Sequence, residues 1–143
     1  MATIIHNVTT PLSFKVATLV ALVEGATDSD KLDPQVSEVT FTPTTQSNTW
    51  TGIGGNTVGD QSIATWAMTL GMIQDVAASG MLRWLLDNEG KKADFTALLT
   101  TGVTVEITAT ISPAVIGGPV GPGYLTSTVT LACDGKPVFT DAP

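Results

Sequence analysis

Along much of the chain, apolar side chains fall at every second position. Residues 103–111, VTVEITATI, set Val103, Val105, Ile107, Ala109 and Ile111 against Thr104, Glu106, Thr108 and Thr110. Residues 124–132, YLTSTVTLA, repeat the arrangement with Leu125, Val129 and Leu131 against Thr126, Thr128 and Thr130. A period of two marks a strand with one buried face. Between them lies GGPVGPG, 117–123. Glycine supplies turn conformations and proline cannot join a ladder. The pair is predicted to form a long hairpin with one apolar and one threonine face. DGKP, 134–137, is predicted to be the turn that stops it.

Further strands are predicted at 12–23, 35–43, 61–73 and 93–100. In the first, Leu12, Phe14, Val16, Val20 and Leu22 oppose Lys15, Ala17, Leu19, Ala21 and Val23, so its second half reads as buried on both faces. In 61–73, Trp66, Met68, Leu70 and Met72 oppose Ile63, Thr65, Ala67 and Thr69, and neither face carries charge. Such a strand is central or covered by a partner. Residues 79–90, SGMLRWLLDNEG, read as a helix, with Ser79 as N-cap and Gly90 just past its end. Leu82, Leu85 and Leu86 form its apolar stripe, widened by Met81 and Trp84. A helix this short must pack to persist.

The sum is a mainly β protein: an antiparallel β-sandwich or half-barrel with one flanking α-helix, in a single domain over 1–143. Residues 1–11 read as an N-terminal arm and 138–143 as a C-terminal tail. Residues 44–60 read as a long loop, and loops beyond about 12–15 residues usually have a task. That loop holds Trp50, Ile53 and Val58, which are costly to leave in water.

Composition sharpens this. Only 13% of residues are charged against 43% hydrophobic, and threonine stands where Lys and Glu usually do, which suits a surface packed against copies of itself. Net charge is −7 with six Lys and Arg, which argues against tight nucleic-acid binding. One cysteine, Cys133, excludes an intrachain disulfide. The opening residues lack a secretion signal, and the apolar run 16–23 is too short to span a bilayer, so cytosolic synthesis and no membrane association are expected.

Chemistry finds little support. His6 is the single histidine, which excludes a two-histidine metal set, and it falls in the predicted N-terminal arm, so no Ser-His-Asp triad is expected. DSDKLD, 28–33, lacks the glycine and glutamate of a calcium loop and reads as a solvated loop. GIGG, 52–55, and GGPVGPG open no helix and are not followed by Lys-Ser/Thr, so they read as turns rather than phosphate cradles. Asp60, Asp75 and Glu106 would need to converge to act as paired carboxylates. No enzyme activity, cofactor or metal is expected.

The ordered segments VSEVTFTPTT, TWTGIGG, SGMLRWLLDNEGKKADFTALL, VTVEITATISPAVIGG and LTSTVTLACDGKP, covering about 36–137, resemble the major tail tube proteins of long-tailed bacteriophages, in the short form found in phages of actinobacteria. Cys133 and the bulky RWLL segment depart locally from that pattern. The resemblance implies a structural virion protein, made in the host bacterial cytoplasm. Six copies would form a ring, and stacked rings a tube. Hairpins of neighbouring subunits would join into one barrel through which DNA passes during ejection without specific binding. Other tail proteins, such as the tape measure, tail tip and tail terminator, would be partners. On that basis Thr104, Glu106, Thr108, Thr110, Thr126, Thr128 and Thr130 are the expected channel lining. Trp50, Ile53 and Val58 are the expected ring-stacking residues, and Trp84 is expected at a subunit boundary. The alternatives are a carbohydrate-binding β-sandwich using Trp50 and Trp66, a small hydrolase, or an inner-tube or tail-terminator protein of a related or contractile tail.

Overall fold

The computed structural model describes residues 2–9, 11–12, 18–100 and 102–141. In chain order they form β1 (Thr18–Val23), β2 (Asp30–Lys31), a 3-10 turn (Asp33–Gln35), β3 (Val36–Thr44), β4 (Ser47–Thr51), β5 (Thr57–Gln61), β6 (Thr65–Ile73), α1 (Met81–Asp87), β7 (Lys92–Thr100), β8 (Val103–Thr110) and β9 (Thr126–Asp141). Seven strands make one antiparallel sheet in the order β2-β1-β7-β8-β9-β6-β3, while β4 and β5 pair only with each other. The mainly β, antiparallel architecture with one helix is as the periodicity predicts.

The sheet folds over at β9. Residues 126–132 of that strand pair with β6, and residues 133–141 pair with β8. Two wings result, β2-β1-β7-β8 and β6-β3, enclosing one core. Leu19, Phe95, Val105 and Ile107 fill it from the first wing, and Met68, Leu70 and Met72 from the second. Among the described residues the sheet does not close: β1 and β3 flank a cleft of roughly 150 Å3 lined by Thr18, Leu19, Val36 and Val39. The helix adds buried Met81, Leu82 and Leu85 to the same core.

Several expectations are corrected. Residues 103–111 and 124–132 do not pair as a hairpin, because β8 takes its partners from Cys133 onward. DGKP does not stop the strand. Gly135, at φ +76°, and the neighbouring register shift opposite Glu106–Thr108 let the backbone turn the corner and continue. Residues 138–141 are therefore strand rather than tail. The loop 44–60 contains the β4–β5 hairpin. The helix starts later than Ser79, with Gly80 at the N-cap position, and Leu86 faces outward at 44% exposure. Only one face of β1 is buried: Leu19, Ala21 and Val23 point inward, and Leu22 is exposed. Phe14, Lys15, Val16 and Ala17 lie outside the described residues.

Candidate assembly surfaces

Alternation along each wing leaves a face turned away from the core, and the two wings differ. On β3-β6-β9 the cross-strand rows are Glu38–Gly71–Thr128, Thr40–Thr69–Thr130 and Thr42–Ala67–Ala132. The Thr69 and Thr130 hydroxyls meet at 3.4 Å. Small side chains fill these three rows apart from Glu38, the one charge among them, and Ile73 stands beside Thr126 at the end of the face. On the first wing the rows are Leu22–Asp94–Thr108–Asp134 and Val20–Thr96–Glu106–Val138. Thr108 donates to Asp94 at 2.6 Å. Lys92 pairs with Asp134, which hydrogen-bonds the ammonium and holds its pKa above the usual lysine value. This second face mixes apolar and charged groups.

The seven threonine-face residues are thus split. Thr126, Thr128 and Thr130 lie on the smooth wing, whereas Thr104, Glu106, Thr108 and Thr110 lie on the charged one. A shared period of two told which residues face away from the core. It could not tell that β9 serves two wings. Thr65 and Thr69 of β6 and Thr40 and Thr42 of β3 were the available signal for the smooth face.

The β4–β5 hairpin leaves from the Thr44–Thr65 end of β3 and β6. Every residue of both its strands is exposed, so it stands clear of the sandwich. Trp50 pairs across the ladder with Val58, and the two are 65% and 61% exposed. The Trp50 ring lies over Gly52, where a Cβ would come within 2.9 Å of it. Ile53, at the tip, is fully exposed. The structure therefore brings the three expected stacking residues together on one projecting element. An isolated two-stranded hairpin is marginal in water.

Trp84 is half-buried on its own core, edge-to-face with Phe95 at 6.5 Å. Its indole N–H donates to Asp30 at 2.9 Å. The DSDKLD segment is solvated at Asp28, Ser29 and Lys31 and tied down at the other three positions: Asp30 accepts from Trp84, Leu32 is buried, and Asp33 accepts from the Leu19 amide. Two glutamines that sequence reasoning missed also organise the molecule. Gln35 accepts from the Met81 amide at 2.8 Å and donates to Asp75, capping the helix from a distant element. Gln74 holds the backbone of Gly117. Glutamines carry no periodic signature, so nothing in the pattern marks them.

Asp60, Asp75 and Glu106 lie on the hairpin, beside Gln35 and on the outer face of β8 respectively, and do not converge. Trp50 and Trp66 sit on different strand pairs and make no joint platform. Among the described residues no group of three His, Cys, Asp or Glu side chains could hold a metal ion. Cys133 is half-buried, and desolvation pushes its thiol pKa up. No helix among the described residues is long and apolar enough to cross a membrane.

No protein-family model matches the sequence, and no curated protein does. Solved structures do match. A chain of the anti-feeding prophage baseplate, six-fold symmetrised, aligns with a TM-score of 0.61 at 11% identity, covering 94% of this chain and 98% of that one. The chain shares its fold with a subunit of that particle. A chain of an extracellular contractile injection system, the PVC sheath–tube complex in its extended state, aligns with a TM-score of 0.61 at 14% identity, covering 92% and 93%. The fold matches span nearly the whole of both partners. They come from a baseplate and a contractile particle, and at these identities the likeness is one of fold.

Proposed function

We propose that this chain is a non-catalytic structural subunit of a tail-type particle, in which six copies form a ring and rings stack into a tube that conducts DNA. The observation that carries this reading is the open seven-stranded sheet. Among the described residues it leaves edges unpaired at β3 and beside β1, in a fold also found in a six-fold symmetrised assembly. Free edges invite pairing with another chain, and a ring satisfies them all. Trp84, beside the short β2 edge, then lies near the neighbouring subunit.

In this arrangement the β3-β6-β9 face, with Thr126, Thr128 and Thr130, is the channel wall, and the β8 face with Thr104, Glu106, Thr108 and Thr110 looks outward. A wall of small hydroxyls offers passing phosphates little to hold. Six copies at −7 each carry about −42, which repels them. The tape measure, tail tip and tail terminator proteins are the partners this role implies, and the assembled virion is its location. A baseplate or inner-tube ring of a contractile system is the second reading, favoured by the source of both structural neighbours.

Negative-stain electron microscopy and sedimentation of the purified protein test the proposal. Rings or tubes with a central hole are the expected result. A monomer at every concentration, with or without a molecular crowder, overturns it.

A further inference from the structure

The hairpin leaves the Thr65 end of β6, and a second neutral, apolar surface lies at the opposite, Ile73 end. This is the segment 112–125, between β8 and β9, which contains no charged residue. It belongs to no helix or strand, yet it is held in place. The Gln74 amide donates to the carbonyl oxygens of Gly117 at 3.1 Å and Thr126 at 3.2 Å, and accepts from the Gly117 amide at 2.8 Å. Ser127 donates to the Val115 carbonyl. Gly117 adopts φ +105°, a conformation that side chains resist. The loop, fixed at Val115, Gly117 and Leu125, presents Ile116 between its anchors and Val120 and Tyr124 on the span they hold, at 57%, 107% and 90% exposure.

A loop anchored at both ends while exposing apolar groups is partly pre-organised to receive a partner, because less ordering remains to be done on contact. We propose that it receives the hairpin tip of the next copy, with Trp50 and Ile53 seated on Ile116, Val120 and Tyr124. This rests on the stacked-ring reading above and names its axial contact.

Two observations point to a second copy rather than a foreign chain. Copies carrying −7 each repel, and they approach with least cost where charge is lowest. The strands and tip of the hairpin, 47–61, contain Asp60 alone, and the loop contains no charge. The two surfaces also leave opposite ends of one strand of nine residues. Different patches at opposite ends give a head-to-tail contact that repeats without closing.

The test uses the full chain with Cys133→Ser and paired substitutions Ile53→Cys with Val120→Cys, and separately Trp50→Cys with Tyr124→Cys. After oxidation, a ladder of covalent multimers on a non-reducing gel is expected from at least one pair, and no more than dimers from any single substitution. Gln74→Ala should raise the concentration needed for stacking roughly tenfold, the equivalent of about 1.4 kcal/mol. Microscopy of the same samples separates the two ideas. Stacked rings without a ladder from either pair overturn the hairpin–loop contact and leave the ring reading intact. A ladder without rings supports the contact and overturns the ring. Monomers alone overturn both.

Discussion

Gly80 and Gly135 occupy glycine positions for different reasons. Gly80 has ordinary backbone angles, but a Cβ there would collide with the carbonyl oxygen of Asp75. Gly135 has open space around it and is kept by its φ of +76° alone. Alanine at 135 should therefore cost about 1–2 kcal/mol, the penalty of a left-handed residue, and alanine at 80 should cost more, because backbone must move. Urea unfolding of the two variants measures this, and equal losses would contradict the steric account. Trp84 offers a second comparison. Trp84→Phe keeps a ring against Phe95 and loses the indole N–H to Asp30, so destabilisation of about 0.5–1.5 kcal/mol is expected. A loss of several kcal/mol would show that ring size, not the hydrogen bond, sets its contribution. Sequence spacing put Trp84 beside the helix stripe but had no means of finding Asp30, 54 residues away.

At the level of elements, alternation located most strands and the leucine spacing located the helix, since both periods follow directly from backbone geometry. Pairing was less legible. β9 carries one alternation through two sets of partners, and a Gly-Lys-Pro run that normally ends a strand here bends it. The helix start was also misplaced, because its cap comes from Gln35 in the turn before β3 and not from the adjacent serine. Gln35→Ala removes that cap and the bond to Asp75, so a loss of about 1–2 kcal/mol is expected. Amide exchange should localise the effect to the first turn of α1. Protection unchanged at Met81 would mean that water replaces the glutamine at no cost.

Across the whole molecule, the low charge and threonine-rich strands pointed towards self-assembly, and the hairpin residues were legible as exposed apolar groups. The division of the threonines between two faces was not, since it depends on which wing each half of β9 joins. That division yields a prediction. Thr128→Lys puts a cation on the smooth face, whereas Thr108→Lys adds one to a face already holding Asp94, Asp134 and Lys92. In assembled tubes, Thr128→Lys should bind duplex DNA with salt-sensitive affinity, and Thr108→Lys and the parent should not. The reverse order would exchange inner and outer faces. The shared strand has a further consequence, for the order in which the chain is made. β6 and β8 have no ladder to each other except through β9. Until Thr126–Asp141 has emerged from the ribosome, the inward faces of Met68, Leu70 and Met72 on one side and of Phe95 and Ile107 on the other have no strand to hold them together. A nascent chain that stops short of Thr126 therefore displays two apolar surfaces and sheet edges at once, a state prone to aggregation. Docking of the two wings therefore waits for β9, and a chain truncated before Thr126 should aggregate rather than fold.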